Sequence, residues 1–323
     1  MCTAVSLLGG DHYFGRNLDL EYTYEEAVVI TPRCFPIQFR NGQVLDNHNA
    51  IIGIGTVIDG YPLYYDCSNE RGLSIAGLNF PGNASYHPKD NGMLNITPFE
   101  LPLWLLGQFS SVAEALECLP QINLWQENFN KEYPLTPLHW LLSDRNECVV
   151  LEPMDDGLHI HRNPIGVLTN NPPFDYHLNN LANYLNLSPT LQKGVFQSKA
   201  GLDPISNGIG AVGLPGDYSS VSRFIRAAFV KVNSPQEKTE RDQVGQFFHI
   251  LSSVAMPKGS VVTQNGIERT VYSSCCNTDK GIYYYTTYTN SQITAVSLCN
   301  TDLCETELIQ YPLGTDQQIR FIN

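Results

Sequence analysis

Positive charge is scarce in this sequence: 19 Lys and Arg stand against 32 Asp and Glu, leaving a formal net charge of -13. That is the wrong sign for holding a phosphate backbone, which argues against nucleic acid as a partner. The same field weakly repels an anionic small molecule at long range, so recognition of one would fall to local cations in a pocket. No stretch approaches the roughly 18 to 20 apolar residues that cross a bilayer. The opening MCTAVSLLGG has neither a basic n-region nor a full h-region, and the scattered basic residues form no polybasic anchor. The expectation is a cytoplasmic protein without membrane association. Nine cysteines, at 2, 34, 67, 118, 148, 275, 276, 299 and 304, include no C-x-x-C pair and are odd in number. Both facts argue against a disulfide framework or a zinc ribbon.

No linker, internal repeat or low-complexity segment interrupts the 323 residues, so a single domain over 1–323 is expected. Alternating or β-branched apolar runs at 2–8, 12–20, 26–31, 50–58, 62–67 and 72–79 read as strands. Helical spacing takes over from Pro98 to Leu119, with a break at Gly107 and a capping box from Ser111 to Glu114. Strands return at 137–144, 147–153, 157–162 and 165–169. Helical periodicity follows at 175–186, 219–232 and 239–256, and a strand-rich end covers 267–310. Antiparallel strand blocks separated by helical blocks predict an α+β domain, its sheets packed on each other and its helices outside.

The second residue carries chemistry that the other cysteines do not. Met-Cys-Thr permits removal of Met1 by an aminopeptidase, which would leave Cys2 as the first residue. Its thiol could then attack an amide carbonyl while its own α-amine, with an ordinary pKa of about 7.7–8.0, moves the protons. A cysteine at position 2 is by itself common, and the downstream segment decides. Phe14-Gly15-Arg16-Asn17-Leu18-Asp19 can fold back on the first strand through Gly9-Gly10-Asp11. Such a hairpin puts Arg16 or Asp19 beside Cys2, where an Arg favours the thiolate and a carboxylate orients the amine.

Six ordered motifs complete the pattern: Met1-Cys2-Thr3, Phe14–Asp19, Asn69-Glu70-Arg71-Gly72-Leu73, Ala76-Gly77-Leu78-Asn79-Phe80-Pro81, Leu168-Thr169-Asn170-Asn171-Pro172 and Gly213-Leu214-Pro215-Gly216-Asp217, the last followed by Ser222-Arg223-Phe224. With them the chain resembles, over nearly its whole length, the choloylglycine hydrolase family of N-terminal nucleophile hydrolases, which includes bile salt hydrolases and penicillin V acylases. The resemblance implies a four-layer αββα sandwich, usually a homotetramer. It implies Cys2 as nucleophile and base, with Arg16, Asp19 and Arg223 as charged partners, and Asn79 and Asn170 holding the substrate amide and its oxyanion. Aligning Leu-Thr-Asn resolves the doublet Asn170-Asn171 in favour of Asn170. An Asn amide is a neutral donor that can stabilise an oxyanion without pairing with the thiolate.

Asn79 resembles the bile salt hydrolase version of the family, where penicillin V acylases tend to have Tyr. That implies a conjugated bile salt as substrate, cleaved through a Cys2 thioester to release glycine or taurine, with no metal or organic cofactor. Other acylase substrates on the same scaffold, penicillin V or an N-acyl homoserine lactone, remain open, as does a non-catalytic steroid-binding protein. A steroid needs an apolar pocket. Leu18, Leu20, Ile58, Tyr65 and Phe129 are candidates to line it, and each fits ordinary core packing as well. The stretch 121–136 is the visible departure from the family. Two further patterns are declined. Gly208–Gly213 fits G-x-G-x-x-G, but Pro215-Gly216 follows where a helix would have to open. His159 and His161 would share a strand face without a third metal ligand at suitable spacing.

Overall fold

The computed structural model describes residues 1–191 and 194–323. In chain order, β1 (Cys2–Gly9) turns at Gly10, whose φ of 80° only glycine adopts freely, into β2 (Asp11–Leu20). Next come β3 (Ala27–Thr31), β4 (Ile51–Ile58), β5 (Tyr61–Asn69) and β6 (Ser74–Asn79). Helices α1 (Leu101–Gln108) and α2 (Val112–Cys118) follow, then β7 (Leu138–Ser143), β8 (Cys148–Met154), β9 (Gly157–Arg162) and the two-residue β10 (Val167–Leu168). After α3 (Phe174–Asn180), α4 (Ser220–Val232) and α5 (Glu240–Ser252), the chain ends in β11 (Gly266–Asn277), β12 (Ile282–Thr287), β13 (Asn290–Ser297) and β14 (Ile309–Pro312).

Two antiparallel sheets result. The first runs β10-β1-β2-β11-β12-β13, with Val261–Thr263 pairing β11 off that path. The second runs β9-β8-β7-β6-β5-β4-β3-β14. Side chains alternate across a strand, and in the second sheet that alternation sorts apolar residues into two cores. Val28, Ile30, Ile52, Ile54, Ala76, Leu78, Leu141 and Val150 face the first sheet. Their neighbours Val29, Ile51, Ile75, Trp140, Leu142, Val149 and Leu151 face α1 and α2. On the far side of the first sheet, Phe224, Ile225, Ala227, Val244, Phe247 and Leu251 from α4 and α5 complete its cover. The layers are helix, sheet, sheet, helix, the expected α+β sandwich. Among the described residues, no helix is long and apolar enough to cross a membrane.

Most elements fall where periodicity put them. The break near Gly107 is a true helix end: α1 stops at Gln108, and the Ser111 hydroxyl caps α2 by accepting from Glu114 N–H at 3.2 Å. The reciprocal half of that box is displaced by one residue, since the Glu114 carboxylate accepts from Ser110 N–H. Helix 175–186 is shorter than its pattern, passing into a 3-10 turn at Leu181–Tyr184. In the departing stretch 121–136, Ile122–Leu124 forms a short parallel ladder with Leu94–Ile96. The glycine-rich 208–213 is a 3-10 turn at Ile209–Ala211, with Gly208 and Gly213 at positive φ.

Candidate active site

Cys2 begins a strand that lies inside a sheet, with β10 on one side and β2 on the other, which is why it is only 3% exposed. The hairpin register sets Leu18 opposite Cys2 and Arg16 opposite Ala4. Arg16 and Asp19, three residues apart, therefore leave β2 on opposite faces. Arg16 faces the second sheet, where its Nη1 donates to Tyr65 O at 2.8 Å and to Gly77 O. Asp19 faces α4 and lies 4.0 Å from Arg223 Nη1, both side chains fully buried. Arg16 therefore lies on the Cys2 face of β2, and Asp19 lies on the other face, where it meets Arg223.

The polar contacts nearest Cys2 come from Asn170 and Arg223. Cys2 N–H donates to Asn170 Oδ1 at 2.8 Å, and Arg223 Nη2 donates to the same oxygen at 2.8 Å. Arg223 Nη1 also reaches Cys2 O and, at 2.7 Å, the Thr3 hydroxyl. The Asn170 amide nitrogen donates to Asn79 O at 2.8 Å, tying the two sheets together at the site. In this arrangement the Asn170 oxygen, rather than the Asp19 carboxylate, is the acceptor for the Cys2 nitrogen, and the Asn170 NH2 is engaged by a backbone carbonyl rather than directed to an oxyanion. Asn171 turns away and donates to Pro81 O at 2.6 Å. The Asn79 side chain is exposed and makes no hydrogen bond among the described residues, leaving its amide NH2 available to a ligand.

Charge is concentrated here at low dielectric. Burial opposes the Arg16 charge, but Cys2, Tyr272, Asp66 and Asp19 outweigh it and raise its pKa above the ordinary value. Among the described residues its Nη2 has no hydrogen-bond partner, and neither has Asp19 Oδ2. Desolvation raises the Asp19 pKa, against the pull of Arg223, the amino terminus and the Thr270 hydroxyl, which donates to Oδ1 at 2.6 Å. Desolvation likewise lowers the Arg223 pKa against Asp19 and Cys2. Behind Arg16, buried Asp66 accepts from Tyr272 at 2.6 Å, Ser274 at 2.9 Å and Tyr283. Buried charge with unsatisfied atoms is costly, and perturbed groups of this kind cluster at functional sites.

The Met1 ammonium donates to Asp19 O at 2.7 Å and pairs with Glu268. Among the apolar candidates, Leu18 is buried opposite Cys2, and Leu20 packs at the rim of the inter-sheet core. Tyr65 binds Arg16 through its carbonyl and shares a 2.8 Å hydroxyl contact with Thr56. Ile58 sits in the β4–β5 hairpin opposite Tyr61. Phe129 packs edge-on against Phe99 at 5.2 Å beneath Arg40. Thr3, Asp66 and Thr270 were not singled out from the sequence, since hydroxyls and lone carboxylates in strands carry no pattern. Glu268 lacked one as well. His159 pairs with Asp156 and His161 with Asp175, so each histidine is occupied by a carboxylate.

A family model described as linear amide C-N hydrolases, choloylglycine hydrolase family, matches residues 2–311. A bile salt hydrolase/transferase of Lactiplantibacillus plantarum is 54% identical over 324 residues, covering 100% of both chains. A conjugated bile acid hydrolase of Lactobacillus acidophilus is 40% identical, covering 96% of this chain and 100% of its own. A variant of the conjugated bile acid hydrolase from Clostridium perfringens superposes with a TM-score of 0.92, at 38% identity and full coverage of both chains. A penicillin V acylase from Agrobacterium tumefaciens, 20% identical and covering 97% of this chain and 92% of its own, shares the fold with a TM-score of 0.77.

Proposed function

The chain belongs to the choloylglycine hydrolase family of linear amide C–N hydrolases, and we propose that it cleaves the amide bond of glycine- and taurine-conjugated bile salts with Cys2 as nucleophile. The observation that carries this reading is the convergence of Asn170, Arg223 and Arg16 on Cys2, in a chain 54% identical to a bile salt hydrolase/transferase.

Removal of Met1 would turn the Cys2 nitrogen, already bonded to Asn170, into a free α-amine. That amine takes the thiol proton as sulfur attacks the carbonyl. The new C–S bond gives a tetrahedral oxyanion, and Asn79, exposed and unpaired, is its side-chain donor. Collapse breaks the C–N bond, and the α-ammonium protonates the departing glycine or taurine. Water, deprotonated by the same amine, then cleaves the thioester, releasing the bile acid and restoring the thiol. Arg16, whose buried Nη2 lacks a hydrogen-bond partner among the described residues, stabilises the negative charge that develops on sulfur as the proton leaves. Arg223 and Asp19 fix Asn170 and the strand end. Leu18, Leu20, Ile58, Tyr65 and Phe129 remain the proposed steroid contacts. An amine in place of water would form a new amide, the transferase half of the relatives' names.

We further propose one domain that assembles as a homotetramer in the cytoplasm, a state that light scattering reads directly. The decisive experiment measures glycine, taurine and phenoxyacetate release side by side, with intact mass to establish loss of Met1. Cys2→Ser should cut turnover at least about a thousandfold with unchanged circular dichroism. Near-normal turnover in that variant, or rapid penicillin V cleavage beside negligible bile salt release, would overturn the assignment.

A further inference from the structure

The backbone segment that presents Asn170 to the nucleophile is held from behind by histidines that the mechanism does not use. His177 on α3 donates from Nε2 to Asn170 O at 2.8 Å, and His139 on β7 donates from Nε2 to Thr169 O at 2.8 Å. A carbonyl oxygen only accepts, so both nitrogens carry their protons. Two consecutive peptide carbonyls are thereby gripped by two rings from different layers, and both rings are fully buried. Each ring is itself clamped: His177 stacks on Phe224 at 4.9 Å and His139 on Phe80 at 4.2 Å.

The clamp has a third member. His139 Nδ1 lies 3.0 Å from Glu152 Oε1, a carboxylate only 1% exposed with no Lys or Arg bonded to it among the described residues. Glu152 also accepts from Phe174 N–H at 3.0 and 3.2 Å, at the start of the helix that carries His177. His161 Nε2 approaches the other carboxylate oxygen at 3.5 Å and is tied to Asp175 on its far side. One buried carboxylate therefore fixes the ring that holds Thr169 and the helix start that aims His177. Burial pushes the His177 pKa down to about 4, so its ring is neutral, and its Nδ1 has no partner among the described residues. Its hydrogen bond is spent entirely on Asn170.

We infer that Glu152, His139 and His177 form a positioning clamp for Asn170, setting the direction of the oxygen that receives the Cys2 nitrogen. They touch neither the sulfur nor a substrate amide and act through Asn170. The inference rests on the assignment of Cys2 as nucleophile. A loosened clamp leaves substrate contacts unchanged but lets the amine drift, which slows chemistry more than binding.

His177→Phe keeps the ring stack on Phe224 and removes the donor, whereas His177→Gln keeps a donor. The Phe variant should lower kcat for a conjugated bile salt roughly 10- to 100-fold with KM within about twofold of the parent. The Gln variant should recover to within about threefold of the parent. Iodoacetamide labelling of Cys2 across pH, which needs no bile salt, should show a displaced midpoint in His177→Phe and in Glu152→Gln, and a parental one in His177→Gln. Parental kcat and labelling in folded His177→Phe would overturn the clamp. So would equal loss in the Phe and Gln variants alongside equal loss of thermal stability, since that marks a structural role only. If the parent itself releases no glycine or taurine, the bile salt assignment fails, while the labelling comparison still decides the clamp.

Discussion

Asn170 is bonded at three of its polar atoms: the side-chain oxygen receives Cys2 and Arg223, the amide nitrogen reaches Asn79 O, and the backbone carbonyl receives His177. Its neighbour Asn171 makes a single bond to Pro81 O at the surface. Asn170→Ala should therefore reduce kcat on a conjugated bile salt about a hundredfold, because it removes one acceptor from a buried guanidinium as well as the acceptor of the nucleophile's nitrogen. Asn171→Ala should stay within about threefold, and steady-state kinetics of the pair would refute this ordering if the losses were equal or reversed. The Leu-Thr-Asn motif points to the residue of the doublet whose side chain bonds the Cys2 nitrogen, but the pattern carries no information on which amide atom faces the cysteine. His177 had no signature at all. A buried histidine bonded to a carbonyl looks, in sequence, like any histidine in an amphipathic helix.

At the scale of the element, β2 shows why Phe14–Asp19 has so little freedom. A Cβ on Gly15 would lie 2.0 Å from Ser274 O on the neighbouring β11, well inside contact distance. Gly15→Ala must push apart two central strands of the sheet that holds Cys2, and it should cost about 1–3 kcal/mol. Urea unfolding reads this directly, and an unchanged midpoint would show that β2 and β11 yield more easily than this packing implies. Strands of the second sheet were legible because both faces are apolar or alternate cleanly, as in Val28–Ile30 and Ile51–Ile54. The two-residue β10 and the short α3 were less so. Their lengths are set by what they pack against, namely β1 and the Glu152 cluster, and local periodicity holds no record of those contacts.

For the whole molecule, buried titratable groups fix the response to acid. His12 and His177 are both pushed down to about 4 by desolvation, so the fold keeps them neutral. The unfolded chain, with ordinary imidazoles near 6.5, binds protons first as pH falls. Their contribution is therefore complete above about 6.5 and is lost as pH drops toward about 4, on the order of 3 kcal/mol each. Asp19, Asp66 and Glu268, raised by burial, act in the opposite sense. The clean measurement is thus the difference in urea midpoint between the parent and His12→Asn at pH 7.5 and pH 4.5. That difference should shrink or change sign on acidification, and a constant offset would disprove it. The position of β1 inside its sheet also imposes an order on synthesis. The first residues to leave the ribosome are seated only when β10 and β11 emerge, 160 and more residues later. Until then the terminus is open to an aminopeptidase, and afterwards its ammonium is engaged by Asp19 O and Glu268. The proposed removal of Met1 is therefore expected on the nascent chain, before β11 closes over the terminus.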